Sequence, residues 1–289
     1  MRSRRQSLMT AAAAPLLGQQ VPEAAPLWEN PVRRQLAEGK PVIGCTIAIP
    51  SAEVAAQAAN MGFDFLWIEM EHSAITLETA RQMILATRGL KAVPFIRVPV
   101  NELWTAKRAL DVGALGIIFP FTSTPDLAAQ AARAVKYPPK GRRGAGGGLA
   151  SFRWPGPERY YEFADRNTMC IIIIEEQRAV ENIEEIASTP GIDVIFIGTN
   201  DLAFSYGKRG DFSTSVVQDA IARIVAAGKK SRVALGRSAG TPDQIAAYVK
   251  QGFTFFQGPS DINLMAAGAR TLLDPLGKSG IDPKKQPLY

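Results

Sequence analysis

The sequence predicts an α/β protein that folds as a single-domain (β/α)8 barrel, also called a TIM barrel. Eight short runs of apolar, often β-branched residues recur along the chain, with helical patterns between them. The runs are almost continuously hydrophobic, which is typical of parallel strands covered on both faces. Eight strands, each followed by a helix, close such a barrel. A doubly wound open sheet is the alternative, but no Gly-x-Gly-x-x-Gly follows the first run, so the barrel is favoured.

Each predicted element can be placed on the chain. Strands are expected at residues 42–48, 63–68, 92–98, 115–120, 169–174, 192–198, 232–236 and 253–258. Helices are expected at residues 51–61, 77–88, 102–112, 125–135, 177–188, 213–227, 241–251 and 261–273. Gly62, Gly113 and Gly252 stand where a helix should end before the next strand.

Composition excludes several classes of function. The 289 residues are 46% hydrophobic and 21% charged, which suits a large buried core and not a disordered chain. Apart from the arginines of the first five residues, the positive charge is scattered, and a net charge of +6 does not indicate a nucleic-acid-binding face. Cys45 and Cys170 lie in apolar runs without metal-site spacing, so we expect core thiols and no disulfide.

The first 31 residues are separated from the fold as a leader and linker. Residues 3–9 resemble a twin-arginine export signal, and the apolar segment of residues 8–18 is too short to span a membrane as a stable helix. A disordered leader or a misassigned start site is the alternative, since no clean cleavage site follows. We therefore expect a periplasmic protein, or otherwise a cytoplasmic one, with the barrel at residues 32–275 and a tail at residues 276–289.

The predicted strand ends carry polar side chains that a barrel enzyme would use, because the carboxyl ends of all eight strands meet at one face. The second strand runs into Glu69, Glu71 and His72, the single histidine of the chain. Charged groups at the end of a core strand are costly unless they face a cleft. The other strand ends contribute Arg97, Glu175, Glu176, residues 198–202, Arg237, Ser238 and residues 258–260.

Two pairs of these residues have the spacing of one strand–helix unit. Glu176 and Asp201 are 25 residues apart, as are His72 and Arg97, so the members of each pair should end neighbouring strands. Adjacent strands lie about 4.8 Å apart, which lets two carboxylates share one cation. Two carboxylates suit Mg²⁺ or Mn²⁺ and leave room for water and a chelating substrate. Spacing alone leaves structural roles open: a first-turn helix residue for Glu176, an N-cap for Asp201, and a core histidine for His72.

A set of motifs runs in order over about residues 32–272. It comprises Ile68-Glu-Met-Glu-His72, Phe95-Ile-Arg97, Leu110-Asp-Val-Gly113, residues 136–146, Glu176 and Phe196-Ile-Gly-Thr-Asn-Asp-Leu202. Together these motifs resemble the metal-dependent (class II) pyruvate aldolases, a family that includes 4-hydroxy-2-oxoheptanedioate aldolase and 2-keto-3-deoxy-rhamnonate aldolase. Taken together and in this order, the motifs are specific for this family.

The resemblance implies reversible cleavage of a 4-hydroxy-2-oxo acid, of the 2-keto-3-deoxy sugar acid type, to pyruvate and an aldehyde through a metal-stabilised enolate. Glu176 and Asp201 would bind Mg²⁺, Mn²⁺ or Co²⁺, which the 2-oxo acid would chelate. Arg97 would hold the keto oxygen. His72, oriented by Asp111, would move the proton of the hydroxyl group.

The resemblance also implies the remaining contacts and partners. Backbone amides near Thr199 and Asn200 would receive the substrate carboxylate, and Glu71 would contribute to substrate binding. The expected partners are a small-molecule 2-oxo acid and further copies of the chain in a homo-oligomer, with no nucleic acid and no membrane. General chemistry agrees, since a metal and a guanidinium can stabilise enolate charge without a Schiff-base lysine, and a histidine can serve as acid and base.

The sequence departs from the family pattern at several positions that bear on the aldehyde preference. Glu69 and Met70 replace the usual Asp-Gly before Glu-His, and Met70 lacks the conformational freedom of glycine. Ile174 replaces a polar residue two positions before Glu176. Thr199 and Asn200 replace the usual Pro-Ala or similar pair.

A long connection at residues 137–157 and two other activities complete the sequence-based hypotheses. We expect this glycine-rich loop to lie over the barrel mouth as a lid or subunit contact; it lacks the Gly-Lys-Ser/Thr of a phosphate-binding loop. One alternative activity is an enolate-forming lyase that acts on a CoA ester or a phosphoenolpyruvate-type substrate. Another is a non-catalytic exported barrel that binds a sugar acid, which the intact His72, Arg97, Glu176 and Asp201 disfavour.

Overall fold

The computed structural model describes residues 28–154 and 159–278. Within them, eight parallel strands close into a barrel in sequential order, which confirms the predicted (β/α)8 fold. The strands are β1 (Val42–Ile47), β2 (Phe65–Glu69), β3 (Val93–Arg97), β4 (Gly116–Phe119), β5 (Met169–Ile174), β6 (Val194–Ile197), β7 (Ala234–Ser238) and β8 (Phe253–Ser260). The predicted export leader and most of the predicted tail lie outside the described residues.

Helices surround the barrel and follow the predicted positions closely. They are α1 (Pro31–Ala37), α2 (Ala52–Asn60), α3 (Leu77–Ala86), α4 (Leu103–Asp111), α5 (Pro125–Ala134), α6 (Tyr160–Asn167), α7 (Gln177–Glu181), α8 (Ile183–Ala187), α9 (Thr199–Ser205), α10 (Ser215–Ser231), α11 (Pro242–Gln251) and α12 (Asp261–Leu273). The sequence analysis did not predict α1, α6 or α9, and the helix predicted at residues 177–188 is two short helices. No helix in the described ranges is long and apolar enough to cross a membrane.

Large aromatic side chains fill the interior of the barrel. Phe65 stacks on Phe255 and on Phe95, with ring centroids 4.5 and 5.2 Å apart. A Cβ at Gly44 would lie 2.2 Å from the Phe65 ring, and one at Gly116 would lie 2.4 Å from the Phe95 ring, so these two strand positions require glycine. This packing leaves polar side chains to the mouth, the face where the carboxyl ends of the strands open.

Alternate residues of each strand point into the barrel, and this alternation determines which strand-end side chains reach the mouth. In β5, Ile171 and Ile173 belong to the aromatic interior, whereas Ile172 and Ile174 pack between the strands and the helices. The next inward position is Glu175. Both faces of this strand are buried, which explains why its sequence is continuously apolar.

The long loop packs at the end of the barrel opposite the mouth. Arg143 is buried, and its Nη2 lies 3.3 Å from Oδ1 of Asp111, the last residue of α4. Trp154 Nε1 donates to the carbonyl of Gly113 at 2.7 Å. The prediction that this loop covers the mouth is wrong for the described residues 136–154. The loop follows a helix, and helices run back from the mouth, so a helix-to-strand connection lies at the amino ends of the strands.

Candidate active site

The tip of β2 is organised around the buried carboxylate of Glu69, which is 2% exposed. Its Oε1 accepts hydrogen bonds from the backbone amides of Glu71 and His72, at 2.7 and 3.0 Å. Its Oε2 accepts from Trp67 Nε1 at 3.1 Å and from Arg97 Nε at 2.6 Å. Glu69 therefore positions the turn that carries His72 and also the guanidinium on the next strand.

Arg97 and His72 converge on the carboxylate of Glu71. Arg97 ends β3, is 8% exposed, and places Nη1 3.1 Å from Glu71 Oε2. His72 Nε2 lies 3.5 Å from the same oxygen, with its side chain 37% exposed. The predicted meeting of His72 and Arg97 on neighbouring strands is confirmed, and Glu71 joins the two.

Glu175, and not Glu176, reaches the mouth from β5. Glu175 is 2% exposed, and its Oε1 accepts the backbone amide of Phe121 at 2.7 Å. A Cβ at Gly198 would lie 2.8 Å from Oε2 of Glu175, so this glycine makes room for the carboxylate. Glu176 is the N-cap residue of α7, and its carboxylate accepts a hydrogen bond from the hydroxyl of Ser123. The predicted placement of Glu176 in the site is wrong by one residue, because Glu176 points away from the interior.

The first turn of α9 brings Thr199, Asn200 and Asp201 to the same mouth. This helix begins directly after Gly198, at the end of β6, beside the strand that carries Glu175. All three residues line a cavity of about 680 Å³, together with His72, Arg97 and Glu175. Their predicted positions are confirmed. Their roles in substrate and metal binding stay predictions.

The mouth brings together more carboxyl groups than the one arginine beside them can pair with. Burial raises the pKa of Glu175 to about 8, and the nearby charges of Glu71 and Asp201 add to the shift, against Arg97. Burial likewise raises the pKa of Glu71 to about 7, where Arg97 opposes the shift and Glu69 and Asp201 add to it. Crowded carboxylates of this kind favour a bound cation.

The donor set at the mouth fits a hard divalent ion. Glu175 and Asp201 offer carboxylate oxygens, the ligands preferred by Mg²⁺ and Mn²⁺. Within residues 28–154 and 159–278, no group of three or more His, Cys, Asp or Glu side chains is arranged as a metal site. With Glu175 and Asp201 as its protein ligands, such an ion would keep coordination positions for a chelating substrate.

Asp111 lies far from this group. It ends α4 at the amino-terminal side of the barrel, where it accepts a hydrogen bond from Arg143 at 3.3 Å. A Cβ at Gly146 would lie 2.5 Å from its Oδ2, so the loop packs directly against it. Within one chain Asp111 does not reach His72, because α4 carries its last residue away from the mouth. Its role in orienting His72 stays a prediction. Glu69 and Glu71 contact the His72 segment instead.

Sequence reasoning gave no role to three contributors to the site. Glu69 was noted at the end of the second strand and as a departure from a family pattern, but no contact was assigned to it. Glu175 was among the strand-end residues, and counting inward positions along the fifth strand selects it. The amide of Phe121 has no signal in the sequence, because any residue supplies an amide.

A parallel barrel whose mouth combines a carboxylate cluster with a buried arginine and a histidine is consistent with the active site of a lyase. Within that class, this chain belongs to the HpcH/HpaI aldolase/citrate lyase family, whose model matches residues 43–267. The predicted assignment as an aldolase, a carbon–carbon lyase, is confirmed. Aldolases of this family are generally dependent on a divalent metal ion and act on small molecules.

Individual relatives agree with the family. A hydroxypyruvate/pyruvate aldolase of Paraburkholderia phytofirmans is 34% identical over 252 residues, which covers 85% of this chain and 97% of the relative. A 5-keto-4-deoxy-D-glucarate aldolase of Salmonella arizonae is 32% identical over 252 residues, 87% of this chain and 98% of the relative. A crystal structure of a family member from Burkholderia cenocepacia superimposes with a TM-score of 0.80 at 33% identity, covering 86% of this chain and 99% of that one. A non-catalytic binding protein is not favoured.

We expect Glu175 to make the metal-free protein less stable as pH rises. Its pKa is about 8 in the folded protein and about 4.5 in the unfolded chain, so the folded state holds the proton more tightly. This stabilisation is full below about pH 4.5 and is lost as pH rises through about 8, by up to about 5 kcal/mol. When thermal unfolding is measured in EDTA from pH 5.5 to 9, the unfolding temperature of Glu175→Gln should fall less with rising pH than that of the wild type. Equal slopes for Glu175→Gln, Glu176→Gln and the wild type would contradict this expectation.

Proposed function

We propose that this chain is a divalent-metal-dependent aldolase that reversibly cleaves a 4-hydroxy-2-oxo acid to pyruvate and an aldehyde. The observation that carries the proposal is the meeting of Glu175 and Asp201 with Arg97 and His72 in one cavity. The names of the relatives, which include a hydroxypyruvate/pyruvate aldolase and a keto-deoxy-glucarate aldolase, support the same class of substrate.

Glu175 and Asp201 would hold the ion, which we propose to be Mg²⁺, Mn²⁺ or Co²⁺. When bound, a divalent ion supplies Lewis acidity at the 2-oxo group and orients the substrate. Glu175 is held for this role by the amide of Phe121 and by the space at Gly198. Thr199 and Asn200 line the cavity beside Asp201, where amides of the helix start could receive the substrate carboxylate.

Arg97 and His72 would perform complementary parts of the cleavage. When the bond between C3 and C4 breaks, its electrons move toward the 2-oxo oxygen, and the Arg97 guanidinium can donate hydrogen bonds to the growing charge. The C4 hydroxyl must lose its proton to become the aldehyde, and His72, directly or through water, can accept it. In the reverse direction the same proton returns. Glu71 Oε2 lies 3.1 Å from Arg97 Nη1 and 3.5 Å from His72 Nε2, so this carboxylate would hold the two side chains beside each other.

Neighbouring glutamates provide a matched test of the metal assignment. We expect Glu175→Gln to lower pyruvate release from 4-hydroxy-2-oxo acids at least 100-fold and to abolish Mn²⁺ binding measured by calorimetry, because it removes one of the two ligands. Glu176→Gln should keep both properties within about threefold, since its carboxylate contacts Ser123 outside the cavity. His72→Ala should lose turnover and still bind Mn²⁺.

Chelation gives an independent check of the same proposal. Removal of metal with EDTA should abolish pyruvate release, and added Mn²⁺ or Mg²⁺ should restore it. Full activity after complete metal removal, or full Mn²⁺ binding by Glu175→Gln with loss in Glu176→Gln, would overturn the assignment.

We also propose that the chain works as a homo-oligomer. Helix α12 exposes Leu264, Met265 and Leu272, which are 37%, 64% and 67% exposed, and only Asp261 of this helix is buried. Contiguous exposed apolar side chains of this size are typical of an interface.

Sedimentation should therefore give a mass that is a multiple of the chain mass. Met265→Lys combined with Leu272→Lys should shift the protein toward the monomer, because two charges would have to enter an apolar contact. Met61→Lys is the control, since Met61 is equally exposed, at 68%, just after α2 on another part of the surface. A wild-type monomer at micromolar concentration would contradict the proposal.

We further propose that the chain is exported through the twin-arginine route to the periplasm, which suits a protein that folds and takes up metal before transport. Paired Arg4 and Arg5 ahead of an apolar segment support this localisation. Expressed at full length in a bacterium with that route, the wild type should appear in the periplasm, and Arg4→Lys combined with Arg5→Lys should stay in the cytoplasm. Recovery of the whole wild-type pool from the cytoplasm with its first residues retained would overturn the proposal.

A further inference from the structure

We propose that Gln257, supported by Ser238 and Thr46, determines specificity for an aldehyde half that carries a hydroxyl group next to the aldehyde carbon. The inference rests on the proposed aldolase function and deepens it, because it names the residues that select the part of the substrate beyond C4. These three uncharged side chains form a polar patch that is separate from the groups that would perform the cleavage.

The polar patch occupies inward positions at the mouth, on three consecutive strands of the closed barrel. Gln257 of β8 is in register with Ser238 of β7 and with Gly44 of β1, and Thr46 is the next inward residue of β1. Phe255, the inward residue before Gln257, belongs to the aromatic interior. All three residues of the patch line the cavity that contains the proposed metal ligands. The wall of the barrel therefore changes from aromatic to polar where the cavity begins.

A hydrogen bond within the patch holds the amide of Gln257. Ser238 Oγ donates to Gln257 Oε1 at 2.8 Å, and no described residue accepts a hydrogen bond from Gln257 Nε2. Gln257 is half-buried, and Ser238 is exposed at the cavity. The pair therefore offers two N–H donors, together with a hydroxyl oxygen that can still accept, to a ligand in the cavity.

Thr46 adds a second hydroxyl group, deeper on the same side of the cavity. It is 5% exposed, and its buried Oγ1 has no hydrogen-bond partner among the described residues. The register of β1 with β8 shifts between Gly44 and Thr46, where Gly258 and Pro259 form a bulge. Bulges are common next to active sites, where they redirect side chains. An unpaired buried hydroxyl typically costs about 1–3 kcal/mol, and a polar substrate group bound beside Gln257 would lower this cost.

The order of the strands around the barrel puts the polar patch beside the aldehyde half. The proposed metal ligands follow β5 and β6, and His72 follows β2. A substrate that is chelated at β5 and β6, with its C4 hydroxyl at His72, has C4 beside β2. Strand β1 is the neighbour of β2, about 4.8 Å away, and β8 is the next strand. Substituents on C5 would therefore lie close to Thr46 and Gln257.

An alcohol matches the polar patch better than an acid or a hydrocarbon. The alcohol oxygen can accept a hydrogen bond from Gln257 Nε2, and its hydrogen can be donated to Ser238 or Thr46, since both hydroxyl oxygens keep lone pairs. None of the three side chains supplies the positive charge that would stabilise a buried carboxylate. A methyl group at this place would leave the amide and the hydroxyls without partners. Sites that hydrogen-bond a substrate hydroxyl reject the analogue that lacks it.

Aldol addition of pyruvate to three matched aldehydes, in the presence of Mn²⁺, tests the inference. Glycolaldehyde carries the hydroxyl group, acetaldehyde lacks it, and methoxyacetaldehyde keeps its electron-withdrawing effect without the O–H donor. Wild-type enzyme should favour glycolaldehyde over each of the other two by about tenfold or more in kcat/KM. Gln257→Met keeps the length of the side chain and removes the amide. It should lower kcat/KM for glycolaldehyde about fivefold more than for acetaldehyde, through a higher KM.

Gln251→Met is the matched control, because Gln251 lies exposed at the end of α11 and does not line the cavity. It should leave the preference for glycolaldehyde unchanged. Ser238→Ala and Thr46→Val each remove only one hydroxyl group of the polar patch. Each should lower the preference by about threefold, which is the effect of one weakened hydrogen bond.

The wild-type comparison does not depend on any variant. Equal kcat/KM values for the three aldehydes would overturn the inference and leave the aldolase function intact. An unchanged preference in both Gln257→Met and Ser238→Ala would also overturn it, as would an equal loss of preference in Gln251→Met. Absence of pyruvate addition to every aldehyde would instead contradict the proposed function.

Discussion

The site depends on the ion pair between Glu69 and Arg97, which joins the ends of two adjacent strands. Both groups are almost completely buried, and the register of β2 and β3 sets them side by side. Removing one partner from a buried pair leaves an uncompensated charge and typically costs about 3–5 kcal/mol. The same carboxylate also accepts hydrogen bonds from the backbone amides of Glu71 and His72. Glu69 therefore positions both the Arg97 guanidinium and the segment that carries His72. The extra methylene of Glu69, relative to an aspartate, lets one carboxylate reach both the turn and the neighbouring strand.

Much of this arrangement can be predicted from the sequence, but not which of two neighbouring residues points into the barrel. Apolar runs and glycine stops predict the strands and helices, and strand ends predict His72, Arg97 and Asp201 at one face. The fifth strand shows why the prediction of Glu176 as a site residue was wrong. Residues Met169–Ile174 are all buried, so the sequence has no alternation that would separate inward from outward positions. The choice between Glu175 and Glu176 therefore needs the three-dimensional direction of the strand, which the neighbouring strands set.

Placement of loops fails for a different reason. Asp111 ends a helix and the long glycine-rich loop follows one, so both lie at the amino ends of the strands, where Arg143 binds Asp111. The order of strand, helix and strand along the chain is enough to predict that these residues lie at the amino ends of the strands. Resemblance to a family motif gives no information on this position. Arg143 is buried against Tyr137 and Tyr160 there, with its guanidinium carbon 4.5 and 5.8 Å from their rings. This part of the chain stabilises the closed end of the barrel, opposite the chemistry.

A strained backbone conformation at the mouth, that of Phe121, helps to hold Glu175 in position. Phe121 adopts a φ of +47°, a left-handed conformation that costs a non-glycine residue about 1–2 kcal/mol. That conformation directs its amide at Glu175 Oε1 across 2.7 Å, and a buried hydrogen bond offsets a cost of this size. Since the amide is fixed to the end of β4, the position of Glu175 is tied to two strands and not to its own side-chain rotamer alone. A carboxylate that must bind a cation among like charges is thereby held in place before the cation arrives.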